Sequence, residues 1–161
     1  MTSTKRKAPR TVEPLDADVL AARRPEILAK RRARKLAKPT YNNTDASWKG
    51  GVAGLAYVSG SLGNRTFLVA CRGSVEAEYH ALLMAMNDAE KAELPGPIDF
   101  RLDCTAVVHL AAGTAPELME LRHHVATTLS RHREWRLAYV ERRRNWMADR
   151  MARRTLDQWQ S

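Results

Sequence analysis

A chain of 161 residues has room for one domain and little for a second core. Its formal charge of +9 is unevenly placed, because residues 1–38 hold 12 Lys and Arg against 4 Asp and Glu, and the remainder hold 15 against 14. No apolar run approaches the ~20 residues that span a bilayer, and the basic N-terminus lacks the apolar core of a signal peptide, so a cytoplasmic protein with no membrane partner is expected.

Residues 1–38 read as a basic arm, disordered or loosely helical, ahead of a nearly neutral domain over 39–161. Lys30, Arg31, Arg32, Arg34 and Lys35 are basic almost all round a helix, which suits a polyanion better than a core. From Thr40 the pattern changes. Residues 41–48 form a strand, polar at Asn42, Asn43 and Thr44. Gly50-Gly51 is a turn, 52–58 an apolar strand, 59–64 a second turn and 66–71 a third strand. Short connections make these three an antiparallel meander.

Ser74 to Met86 is the first strong helix, with Tyr79, Leu82, Leu83 and Met86 at i, i+3, i+4 and i+7. Ser74 is its expected N-cap. Residues 98–103 alternate as a strand that should lie parallel to the first after a helical crossover. A short helix over 106–112 and a longer one over 116–131 follow, the latter with Leu118, Leu121, Val125 and Leu129 on one face. Residues 135–140 read as a fifth strand and 145–159 as a final helix, with Ala148, Met151, Ala152 and Trp159 inward. The order βββαβααβα predicts an α/β fold with a mixed sheet covered by helices. Cys71 and Cys104, with no CxxC spacing, are expected to be reduced thiols.

Four acidic residues share a topological address. Asp45 lies mid-way along the first strand, Asp103 closes the fourth, Glu78 opens the helix between them, and Asp149 sits early in the final helix. Such positions can converge at one sheet edge. Clustered carboxylates repel one another and raise each other's pKa unless divalent cations lie between them, and hard oxygen donors suit Mg²⁺ or Mn²⁺. Two such ions serve phosphodiester cleavage.

These residues carry a resemblance. The chain resembles the ribonuclease H type 1 fold, in its reverse-transcriptase-like branch, over roughly residues 40–157. The first motif is Asp45-Ala46-Ser47 before a glycine-rich hairpin, and the second is Ala77-Glu78-Tyr79-His80-Ala81-Leu82. The third is Leu102-Asp103-Cys104. The fourth, the most specific, is Val140, Arg142, Asn145, Ala148, Asp149 and Ala152.

The resemblance implies a five-stranded mixed sheet, with the meander extended by two parallel strands. It implies a monomeric endonuclease, a phosphodiester hydrolase cutting the RNA strand of RNA–DNA hybrids. Asp45, Glu78, Asp103 and Asp149 would be the catalytic carboxylates and the ligands of two Mg²⁺ or Mn²⁺ ions, with Ser47, Ser74, Arg142 and Asn145 at the nucleic acid. The loop Glu141-Arg142-Arg143-Arg144 has no His ahead of the last Asp, which implies slower turnover. Gly73-Ser74-Val75 stands where many relatives carry paired Asn residues. Two other readings fit the residues: a non-catalytic nucleic-acid-binding module of the same fold, and a nuclease of the same superfold acting on DNA.

Overall fold

The computed structural model of the protein describes residues 39–111 and 114–161, and Pro25 ahead of them. The expected arm, including Lys30, Arg31, Arg32, Arg34 and Lys35, lies outside the described residues apart from Pro25. Five strands form one sheet: β1 Thr40–Lys49, β2 Val52–Ser59, β3 Gly63–Ala70, β4 Ile98–Leu102 and β5 Trp135–Tyr139. Their order is β3-β2-β1-β4-β5. β1, β2 and β3 pair antiparallel, and β4 and β5 add in parallel. The helices are α1 Ser74–Lys91, α2 Thr105–Val108, α3 Pro116–Arg131 and α4 Trp146–Gln160, the last preceded by a 3₁₀ turn at Arg142–Arg144.

Local chemistry explains these boundaries. Gly50 and Gly51 have φ of +58° and +86°, the paired positive φ a two-residue hairpin needs. Ser59 Oγ accepts bonds from the Ser61 and Leu62 amides, which closes the second turn. The expected helix over 106–112 stops at Val108 because Leu110 takes φ +53°; Ala112 lies outside the described residues.

Two faces of β2 sort the layers. Ala53, Leu55 and Tyr57 are buried on the α1 side, with Ala77, Ala81 and Leu82. Gly54 points the other way, into α4, where an added Cβ would lie 2.9 Å from the Leu156 amide nitrogen and press on the Ala152 carbonyl. Only a glycine lets this helix lie so close. The main core joins Tyr79, Leu82, Leu83 and Met86 of α1 to Ile98, Phe100 and Leu102 of β4, with Val125 of α3 and Trp135 of β5. Each of its fully buried large side chains contributes about 1.5–3 kcal/mol. β3 is an edge strand, exposed over most of its length, with Phe67 open to solvent.

Two further details differ from the sequence reading. Ser74 is the first helical residue and not the cap; Gly73 caps in extended conformation, and Glu76 accepts the Arg72 amide at 2.9 Å. Trp159 is exposed, and Leu156 takes the inward position one turn earlier. The polar stretch of β1 is buried: Asn42 and Thr44 are 0% exposed, and their side-chain polar atoms meet no protein partner.

Candidate active site

The parallel pairing of β1 with β4 sets the first two carboxylates side by side. Asn43 is opposite Arg101, so two residues on, past the ladder, Asp45 comes level with Asp103. α1 delivers Glu78 from its fifth residue, and α4 delivers Asp149 from its fourth. Carboxylate oxygens of Asp45, Glu78 and Asp103 all lie within 4.8 Å of one another. Asp149 lines the same cleft, outside that trio. Arg153, one turn on, holds its Oδ1 at 3.0 Å. Arg142 reaches across the mouth, 3.5 Å from Asp103 and 3.7 Å from Asp149.

Electrostatics set the trio apart. Burial, then the charges of Asp103 and Asp149, raise the Asp45 pKa from 3.8 to about 7. Burial and the Asp45 charge hold Glu78 well above the ordinary carboxylate range. Burial raises Asp103 too, against the opposing pull of Arg142. Without a cation, burial and mutual repulsion thus make both Asp45 and Glu78 hold a proton more readily than free carboxyls. Both Asp45 oxygens, Glu78 Oε2 and Asp103 Oδ2 are buried with no hydrogen-bond partner.

Orphaned, all-oxygen and anionic, this donor set fits a small hard divalent cation. The 4.8 Å spread compares with the ~4.2 Å across a Mg²⁺ shell. A purely structural cluster would instead carry donors on those oxygens.

The remaining expected residues fall in two groups. Ser47, Ser74 and Arg142 line the cleft. Asn145 does not: it is 0% exposed, and its Nδ2 donates to the Thr44 carbonyl at 2.8 Å. Burial excludes contact with nucleic acid; Asn145 instead ties the start of α4 to the strand residue before Asp45. Sequence reasoning also passed over four polar or aromatic lining residues, Trp48, Lys49, Arg153 and Asp157. Trp48 is 40% exposed, with its indole N–H donated to the Cys71 carbonyl at 3.1 Å. Arg153 was legible as the i+4 partner of Asp149. Trp48 had only its place three residues after Asp45.

The sequence profile of the reverse-transcriptase-like family matches residues 43–155, from the strand bearing Asp45 to the helix bearing Asp149. The chain belongs to that family. A search of curated proteins found no match. Among solved structures, this family member is similar to the ribonuclease H1 of the halophilic archaeon Halobacterium salinarum, with 23% identity, TM-score 0.62, and coverage of 75% of this chain and 99% of that one. LC11 ribonuclease H1, solved in complex with an RNA/DNA hybrid, gives 18%, 0.65, 76% and 99%. The N-terminal ribonuclease H domain of a Mycobacterium tuberculosis protein gives 22%, 0.64, 73% and 98%. At these identities the likeness establishes the ribonuclease H fold.

Proposed function

We propose that the protein is an endonuclease hydrolysing the RNA strand of RNA–DNA hybrids. The observation that carries this reading is the convergence of three carboxylates, from β1, α1 and the end of β4, with buried oxygens that accept no hydrogen bond, beside Asp149. A module that only bound nucleic acid would gain nothing from such a cluster, which repels phosphate. The LC11 enzyme in complex with a hybrid supports the substrate class.

Asp45, Glu78, Asp103 and Asp149 would hold two Mg²⁺ or Mn²⁺ ions. Bound there, such ions supply the Lewis acidity that activates water and stabilises the leaving 3′ oxygen. Arg142 and Arg153, poised on Asp103 and Asp149, are placed to take up phosphate oxygens as the carboxylates turn to cations. Ser47, Trp48 and Ser74 line the cleft, where they would meet sugars and base edges of the cleaved strand. We assign residues 1–38 to an arm that adds sequence-independent affinity for duplexes, and the remainder to a monomeric, cytoplasmic catalytic domain.

The test is incubation with labelled RNA–DNA hybrid, double-stranded RNA, single-stranded RNA and double-stranded DNA, in Mg²⁺ and in Mn²⁺. Metal-dependent cuts confined to the RNA of the hybrid are expected. Cleavage of duplex DNA alone, or none with any substrate, overturns the reading.

A further inference from the structure

We propose that the outer face of α4 is a docking ridge for the sugar–phosphate backbone of the substrate duplex, outside the cation-binding cleft. The proposal deepens the nuclease reading and rests on it for the identity of the duplex.

The helix has two unlike sides. Ala148, Ala152 and Leu156 are buried against the sheet. On the opposite side Trp146, Arg150 and Arg154 recur every fourth residue, all exposed. Most arginines near the cleft are engaged: Arg142 and Arg153 with Asp149, and Arg143 with Glu141. Among the described residues, no carboxylate lies within ion-pair distance of Arg150 or Arg154. Two free guanidiniums one turn apart repel each other mildly. That arrangement does nothing for the isolated fold, and it complements a row of negative charges.

Spacing and continuity name the occupant. Four residues of helix advance about 6 Å, close to two backbone steps of one strand at ~3.4 Å each along the duplex axis. Guanidinium forks match phosphate oxygens. The exposed Trp146 indole, one turn before Arg150, offers a flat apolar surface to a sugar. The groove along the ridge and the acidic cleft share Asp149, Arg153 and Asp157. A strand leaving the cleft past Asp149 therefore runs onto Arg150 and Arg154. Asp149 and Asp157 are the acidic side chains of that groove, against Arg150, Arg153 and Arg154. An acidic protein would satisfy the charge, but neither the regular step nor the continuity with the cleft.

The experiment uses the full chain in EDTA and a labelled 24-base-pair RNA–DNA hybrid, with affinity read by anisotropy between 50 and 200 mM KCl. Two phosphate contacts account for a log–log salt slope of about 1.8. Wild type should thus lose roughly twelvefold more affinity over that range than the Arg150→Gln, Arg154→Gln double variant. The Arg150→Lys, Arg154→Lys variant should restore most of the slope. Arg122→Gln with Arg133→Gln removes the same charge elsewhere and should leave the slope nearly as in wild type. A wild-type slope in the Gln variant, or an equal loss in the Arg122/Arg133 control, overturns the ridge. So does loss of polyglutamate binding with unchanged duplex binding. Cleavage of hybrid alongside an unaltered slope would sink the ridge and spare the nuclease. A flattened slope on hybrid and duplex DNA alike, without hybrid cleavage, would do the reverse.

Discussion

Asn145 donates its side-chain amide to the backbone carbonyl of Thr44 at 2.8 Å, across 101 residues of sequence. Each partner lies beside a carboxylate it helps place: Thr44 precedes Asp45, and Asn145 stands one helical turn before Asp149. Asn145→Ala should cost about 1–3 kcal/mol in unfolding free energy, the range for breaking a buried hydrogen bond. Turnover should fall further than stability implies, by one to two orders of magnitude at about 1 Å of misplacement. Thermal unfolding and kcat, measured on one preparation, check this. Wild-type kcat below the melting transition would show that the tether does not place Asp149.

Replacing each carboxylate separates ligand from scaffold. Asp45→Asn, Glu78→Gln, Asp103→Asn and Asp149→Asn should each abolish or sharply reduce cleavage and leave the circular dichroism spectrum intact. Mg²⁺ should raise the melting temperature of wild type more than that of any of the four. An Asp103→Asn protein that cuts like wild type would break the assignment.

The raised Asp45 pKa carries a sign. Its folded value of about 7 exceeds the ordinary 3.8, so native protein holds a proton that the unfolded chain releases. That contribution to stability is complete below pH ~4 and is lost as pH rises through about 7. At ~1.4 kcal/mol per pKa unit the loss is bounded near 4 kcal/mol. Metal-free wild type should melt lower at pH 8 than at pH 5.5, relative to Asp45→Asn, whose curve should be flatter. Mg²⁺ should stabilise more at pH 8, where the ligands are ionised. Parallel pH curves for the two metal-free proteins would refute the raised Asp45 pKa.

Trp48 is fixed at the cleft wall by the Cys71 carbonyl. Trp48→Ala should raise KM for the hybrid roughly tenfold, within the ~1–3 kcal/mol of an aromatic stacking contact, with kcat nearly unchanged. Trp48→Phe should recover part of it. Steady-state kinetics decide; a fall in kcat alone would place the indole in support of Glu78 rather than of substrate.

Gly54 sets the distance between α4 and the sheet. Gly54→Ala should lower the unfolding free energy by about 1–3 kcal/mol through overpacking. A urea titration reads this directly, and an unchanged midpoint would mean that the helix backs away without cost.

Much of this molecule was legible because burial imposes periodicity. Tyr79, Leu82, Leu83 and Met86 announced α1, and all four are buried. The strand order followed from short turns and one helical crossover. The carboxylates were legible by their places at strand ends and helix starts, and the structure gathers three of them, with Asp149 set against Arg153. What stayed hidden depends on partners distant in sequence. Asn145 looked like a residue for substrate because nothing local betrays its bond to Thr44. Trp159 has the phase of a buried residue, but it falls in the last turn of α4, after Leu156 has filled the inner position. β3 begins three residues earlier than its apolar run, because pairing with Tyr57, Val58 and Ser59 draws in Gly63, Asn64 and Arg65.

At the margin of the sheet, β3 has no further strand beside its outer row of backbone donors and acceptors among the described residues. Such a margin is a template for edge-to-edge growth, and Phe67, 56% exposed, makes it adhesive. Arg65 stands two residues away on the same face, half-exposed and bound to Asp88 at 2.6 Å. Its charge acts as a gatekeeper against a second sheet extending the first. An apolar residue at position 65 would leave this edge without its charge and favour edge-to-edge association, far from the acidic cleft.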